Sequence, residues 1–367
     1  MPYFFCSGAA RAAAKHSLVP FMAFVALGFA GCQHRAPWYR RTEADPAPPA
    51  FVRGENPAFK ESAYIRRCKD KLDASEPLGF AYLAKKGTQE VVLMGTFHGG
   101  TVRDSKLTPA LLCLIDASEA VATELDIREA QVTLGVALQS ESLERRRADA
   151  YKRRYVLPKG DSLAAHLTPE TLRRLERVLS AKDLAAIATF LSERLGETIT
   201  PERVGDGAIA SAYATMLSWR TQPYFPFQYA PDIAVEKRAR EVGIAHIALE
   251  TLDLQLDWIS SLQKDPETEL KAILDRSVEQ DAVDFHKLHA YWQDGDLGSF
   301  ERAAGLVITA TMFRAIDARN PHMVDGIEAC AKRNDKCFVA VGAAHLIGKG
   351  SVNGLLAKRG FSIDRIK

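Results

Sequence analysis

Two turns share one chemistry-bearing pattern: Gly95-Thr96-Phe97-His98 and Gly342-Ala343-Ala344-His345 are both Gly-x-x-His. The first follows Val91-Val92-Leu93-Met94 and the second follows Phe338-Val339-Ala340-Val341, short apolar runs that read as buried strands. Each histidine therefore stands just past the carboxyl end of a strand. Open α/β sheets bind ligands at that edge, and glycine lets the backbone turn sharply there. Two imidazoles that are far apart in sequence and equivalent in local structure are expected to meet in one site, and imidazole is the commonest metal ligand. Two further strand-like runs end in carboxylates, Ala120 to Asp126 carrying Glu124 and Ile244 to Thr251 carrying Glu250. Two histidines with one or two carboxylates suit a divalent metal, manganese, cobalt or zinc, with a position open to water. Such a metal lowers the pKa of its water toward ~7, and a glutamate that does not ligate can serve as base, so the expected chemistry is hydrolysis of an amide or ester. A serine hydrolase is disfavoured, because no Gly-x-Ser-x-Gly elbow follows a strand. His246, His286, His289 and His322 lack the glycine turn and read as structural.

The surrounding elements explain the placement. Gly79 to Ala84, the turn-forming Lys85-Lys86-Gly87-Thr88 and Glu90 to Met94 read as a hairpin leading into the first histidine turn. Thr108 can cap a helix that has Pro109 at its first position, and the run to Asp126 then completes a parallel crossover that brings Glu124 beside His98. The middle, about 128–218, reads as a helical insertion, with Leu167-Thr168-Pro169-Glu170 and Ile199-Thr200-Pro201-Glu202 repeating the threonine-cap, proline-first start. A helix over Asp232 to Val242 follows, then the strand ending at Glu250, then helix through Tyr291 to Phe300 and Thr309 to Lys332. The last unit is the strand Phe338 to Val341, His345, a helix from Ser351 to Arg359 and a strand near Phe361 to Ile366. The fold class is α/β, a mixed or mostly parallel sheet with helices on both faces.

At the N-terminus, Arg11 and Lys15 precede an uncharged stretch whose apolar centre, Leu18 to Phe29, suits the h-region of an export signal. Its end, Leu27-Gly28-Phe29-Ala30-Gly31-Cys32, resembles a bacterial lipobox with Cys32 as the lipidated residue, although Phe29 stands where a smaller aliphatic residue is usual. Residues 1–32 are thus expected to be a lipoprotein-type signal, 33–60 a Pro/Ala-rich tether, and 64–367 the folded domain. The expected location is the periplasm or cell envelope of a Gram-negative bacterium, anchored to the outer membrane by the lipid. Cys68, Cys113, Cys330 and Cys337 then lie in a compartment that permits disulfides. Cys330 and Cys337 are the expected pair, Cys113 reads as a core residue, and the absence of CxxC spacing argues against a cysteine-zinc site. The formal net charge of +2 and the acids around Arg145-Arg146-Arg147 and Lys152-Arg153-Arg154 exclude a case for nucleic-acid binding.

An ordered set of motifs carries a resemblance. Gly95 to His98, Glu124-Leu125-Asp126, Asp232, Leu249-Glu250-Thr251 with Gln255, Tyr291 with Gly295-Asp296, Arg319-Asn320 and Val341 to Gly348 resemble the TraB/PrgY/GumN family in its GumN-like branch, which is similar to the Tiki proteases. The sequence departs at Ala318, where the branch commonly has Glu, and at Ala344, where Gly often precedes the histidine. The resemblance implies a fold like the erythromycin-esterase and ChaN-like proteins. It also implies metal-dependent, peptidase-like activity on a peptide or protein substrate, carried by His98, Glu124 and His345. Arg319 and Asn320 would polarise a carbonyl or hold a carboxylate ligand, or else tie down the penultimate helix. The competing expectations are a periplasmic lipoprotein that binds a peptide, haem or iron ligand without turnover, and a structural envelope lipoprotein.

Overall fold

The computed structural model describes residues 62–74, 78–126, 155–209, 229–251, 277–308 and 310–366, together with 254, 255, 267, 270, 271, 274 and 275. The export segment with Cys32, the tether and the parts of the helical middle over 128–154 and 210–218 lie outside the described residues. Among the described residues no helix is long and apolar enough to cross a membrane.

Strand β1 (Phe80–Lys86) turns into β2 (Gln89–Thr96) as an antiparallel hairpin, with Lys86 opposite Gln89. Gly87 takes a φ of 62°, the left-handed conformation that a two-residue hairpin turn requires. Strands β3 (Ala120–Thr123), β4 (Ala245–Ala248), β5 (Lys336–Gly342) and β6 (Ser362–Ile366) complete a six-stranded sheet of order β4-β3-β5-β2-β1-β6. The β4, β3, β5 and β2 strands run parallel, and β1 is antiparallel to both its neighbours.

The described α-helices are α1 (Ala63–Arg67), α2 (Lys69–Asp73), α3 (Pro109–Asp116), α4 (Pro169–Val178), α5 (Ala181–Leu195), α6 (Pro231–Glu241), α7 (Val278–Gln293), α8 (Leu297–Val307), α9 (Ala310–Arg333) and α10 (Val352–Lys358). Alternation along the strands sends successive side chains to opposite faces, so each face has its own core. Phe80, Tyr82, Val91, Leu93, Val339 and Val341 pack with residues of α7 to α10, whereas Ala81, Leu83, Val92, Met94, Phe338 and Ala340 pack with α1, α3 and α6. The fold is therefore α/β, a mixed sheet with helices on both faces. The helical middle has a separate apolar cluster that includes Tyr155, Leu175, Leu191, Ile209 and Leu270.

Thr108 and Thr168 cap their helices as their position before proline predicts, each accepting from the backbone N–H three residues on. Four local readings change. Thr200 makes no such cap, and the Pro201 start gives only a single 3-10 turn, Pro201–Arg203. The run Tyr291 to Phe300 is two helices, because Gly295 turns the chain with a φ of 65° and Asp296 caps α8 through Ser299 N–H. Strand β3 is not the neighbour of β2, since β5 inserts between them. Cys113 is bonded to Cys68 rather than being a free core thiol, and Cys330 is bonded to Cys337.

Candidate functional site

Three neighbouring strands end at one level of the sheet. Thr96, the last residue of β2, is in register with Gly342, the last of β5, and Thr123 at the end of β3 pairs with Ala340 of β5. His98 and Glu124 therefore leave the sheet on either side of Gly342, and His345 returns over it from a 3-10 turn, Ala343–Leu346. A Cβ on Gly342 would lie 3.1 Å from Glu124 Oε1, 3.1 Å from His98 Nε2 and 3.6 Å from His345 Cδ2. A methyl there would press on these side chains, and glycine leaves the space between them open.

Glu124 stands between the two imidazoles. Glu124 Oε1 lies 3.7 Å from His345 Nε2 and 3.9 Å from His98 Nε2. Neighbouring ligands of a tetrahedral ion with bonds of ~2.1 Å stand about 3.4 Å apart, so the two imidazoles, each close to Glu124 but not gathered within 4.8 Å of one another, would have to close in for all three donors to share one divalent cation. The second atom of each group is tied. Asn320 Nδ2 donates to Gly350 O at 2.8 Å, which leaves Asn320 Oδ1 as the acceptor 2.6 Å from His345 Nδ1. His345 thus carries its hydrogen on Nδ1 and keeps a lone pair on Nε2, the arrangement in which an outer carbonyl or carboxylate fixes a ligating imidazole. On the other side Asp232 Oδ2 lies 3.3 Å from His98 Nδ1; burial lowers this imidazole, but the Asp232 bond and the charges of Glu124 and Asp232 raise it to about 9, so a metal at Nε2 must displace a proton. Burial of His345 pushes its imidazole down to about 4, against the pull of Glu124, so it is neutral near pH 7.

Glu124 is held ionised. Burial raises its pKa, but its two imidazole neighbours, Arg319 and the Gly342 N–H more than reverse this, to about 2. Gly342 N–H donates to Oε1 at 2.6 Å and Arg319 Nη2 to Oε2 at 2.9 Å. Arg319 also donates through Nε to Glu250 Oε1 at 2.9 Å, and its Nη2 makes a close bond to Glu250 Oε2. Gln255 Nε2 donates to Glu250 Oε2 at 2.9 Å. The sequence-predicted residues are thus brought together in two tiers. His98, Glu124 and His345 face the common space, while Arg319 and Asn320 hold Glu124 and His345. Glu250, whose side chain has no solvent exposure, anchors Arg319. Replacing Asn320 with Ala removes the acceptor that fixes His345, and is expected to weaken metal affinity by ~10–100-fold. Zinc titration with wild type in parallel measures it.

Sequence reasoning left several partners without a role. Asp232 stood in the motif set, but an acid in the first turn of a helix reads as a dipole or cap residue. Asp104 and His289 pin the loop that follows His98. Asp104 Oδ2 accepts from Thr101 Oγ1 at 2.8 Å and lies 3.0 Å from His289 Nε2, and Oδ1 accepts from Gln293 Nε2 at 2.6 Å. Phe97 packs edge-on against Phe285 and His289, and Trp292 Nε1 donates to Gly95 O at 2.8 Å, so α7 grips both sides of the first histidine turn. Burial raises the Asp104 carboxyl, and the His289 bond and charge with the Thr101 and Gln293 bonds overcome it, lowering it from 3.8 to about 2. A depressed folded-state carboxyl contributes stability above its unfolded pKa and loses it as pH falls through the folded value. Wild type is therefore expected to lose on the order of 1 kcal/mol between about pH 4 and pH 2 that Asp104→Asn does not lose. Denaturation curves at stepped pH check the difference.

A further group of ligand-type side chains, Asp126, Glu236 and His246, has one donor atom from each residue within 4.8 Å of the others. Asp126 and Glu236 are bridged there by Arg240. No spacing in the sequence signals this group, which is gathered from the end of β3, from α6 and from β4.

The model of the TraB/PrgY/gumN family matches residues 80–365, a span that holds both histidine turns and the six strands up to the last residue of β6. No curated protein and no solved structure matches the chain.

Proposed function

The chain belongs to the TraB/PrgY/gumN family, and from that premise we propose that it is an exported, lipid-anchored, metal-dependent hydrolase that cleaves peptide bonds. The carrying observation is the convergence of His98 Nε2, His345 Nε2 and Glu124 Oε1 on the space over Gly342, with each imidazole's other nitrogen engaged by Asp232 or Asn320. These three donors suit manganese, cobalt or zinc and leave positions for water and substrate. A metal bound there would polarise the scissile carbonyl and acidify water. His98 is 58% exposed, so the site opens to solvent on its side and is closed on the side of His345 and Arg319. Substrate approaches from that open edge, and Asp232 steadies the histidine it meets. Arg319 and Asn320 are positioning residues in this reading, keeping Glu124 ionised and His345 in one tautomer.

Export accords with the disulfides Cys68–Cys113 and Cys330–Cys337, which require an oxidising compartment. Lipidation at Cys32 would then tether the domain over residues 64–367 to the envelope.

Glu250 favours a second reading. With its carboxylate bound by Arg319 and Gln255, it is not placed to take a proton from water, and a site that lacks a separate base can capture a peptide, haem or iron ligand without turnover. Incubation of an unstructured polypeptide with wild type and His345→Ala, each loaded with manganese, cobalt or zinc, separates the two by mass spectrometry. Metal-dependent fragments lost in the variant are expected. Saturable binding without fragments in any metal would establish the binding reading instead.

A further inference from the structure

The group of Asp126, Glu236 and His246 lies apart from the donors of the proposed hydrolytic site, and its hydrogen bonding has a definite polarity. Thr123 Oγ1 donates its single hydrogen to Leu125 O at 2.7 Å. The same oxygen lies 2.8 Å from His246 Nε2, so Nε2 must carry the hydrogen that joins them. In the neutral ring Nδ1, 3.4 Å from Asp126 Oδ2, is then the nitrogen that offers a lone pair to a cation. Glu236, itself buried, adds a third ligand-type oxygen to the same space.

One positive group is already near. Arg240 Nη2 lies 2.9 Å from both Asp126 oxygens and 2.7 Å from Glu236 Oε1. The guanidinium is a pure donor, so it satisfies the carboxylates in the place where a cation would also serve an unprotonated Nδ1. Arg240 keeps 28% of its side chain exposed, so it has a path into solvent when a cation takes its place.

We propose that Asp126, Glu236 and His246 form a second divalent-cation site, in which the cation takes His246 Nδ1 and one oxygen from each carboxylate and displaces the Arg240 guanidinium. One imidazole with two carboxylates suits zinc, manganese or cobalt. The site has a structural consequence for the first. Glu236 follows Asp232 by one turn of α6, about 6 Å along the helix axis. A cation joining Glu236 to the ends of β3 and β4 fixes α6 against the sheet, and with it the Asp232 that holds His98.

Zinc titration of the full chain, read calorimetrically and by elemental analysis, tests the assignment. Wild type is expected to take two equivalents, His98→Ala one, Glu236→Gln one, and His98→Ala with Glu236→Gln none. His246→Gln should match Glu236→Gln, and if it does not fold, the isosteric Glu236→Gln decides. Arg240→Gln, which removes the competing guanidinium, should bind the second zinc about tenfold more tightly. One equivalent in wild type that His98→Ala keeps and Glu236→Gln loses would uphold this site and overturn the hydrolytic one. One equivalent that His98→Ala loses and Glu236→Gln keeps would overturn the second site.

Discussion

Gly342→Ala is expected to empty the strand-end site while leaving the protein folded. The backbone at Gly342 has φ −52° and ψ 135°, which alanine adopts without strain, and the unfolded chain becomes less flexible, a gain of ~0.4–1 kcal/mol. The added methyl, however, would stand 3.1 Å from both Glu124 Oε1 and His98 Nε2. Glu124 cannot retreat, being held by Gly342 N–H on one oxygen and Arg319 on the other, so His98 at the open edge must move. Separating His98 from Glu124 breaks the set of three donors. Metal affinity and any metal-dependent cleavage should each fall by at least ~100-fold, the upper range for losing an orienting partner. The melting temperature should shift by no more than a few degrees. Metal analysis and thermal denaturation on the same sample check both halves, and full metal occupancy in the variant would refute the role given to this glycine.

Arg319→Met is expected to have the opposite character, a large loss of stability. The guanidinium is the shared counter-ion of Glu124 and Glu250, and all three side chains are largely or wholly buried. Removing one partner of a buried ionic group leaves charge uncompensated and costs ~3–5 kcal/mol. Urea denaturation should show that loss for Arg319→Met. Combining it with Glu250→Gln, which removes one of the stranded charges, should recover part of it, because residues in one network are not additive. A loss below ~1 kcal/mol would mean that water reaches these carboxylates and that Arg319 does not hold them.

What could be read from the residues follows the range of the interaction that encodes it. The apolar runs of β1 and β2, the turn at Gly87 and the helix starts at Thr108-Pro109 and Thr168-Pro169 are local, and they were legible with bounds close to those observed. The two Gly-x-x-His turns were legible because a strand end is itself a local feature, and the structure does bring His98, Glu124 and His345 face to face. Strand order was not, since nothing near Glu124 says that β5 separates β3 from β2. The Cys68–Cys113 bond was hidden by the apolar neighbours of Cys113, and it joins residues 45 apart. The partners of Asp232 and His289 were not legible, because a charged first-turn residue or a histidine on a helix carries no mark of His98 and Asp104, which come from a distant loop. Glu250 shows the limit at the chemical level: the strand end was right, but only the fold reveals that its oxygens serve Arg319.

In the proposed hydrolase two imidazoles and a carboxylate hold one divalent cation above Gly342, so the metal content of the protein depends on both histidines. Purified protein is loaded with manganese, cobalt or zinc, dialysed and analysed for its elements, beside His98→Ala and His345→Ala whose folding is verified by circular dichroism. The account predicts that each substitution removes one equivalent of the same metal, and that the two together remove no more than either alone. Metal content unchanged in both folded variants would contradict it.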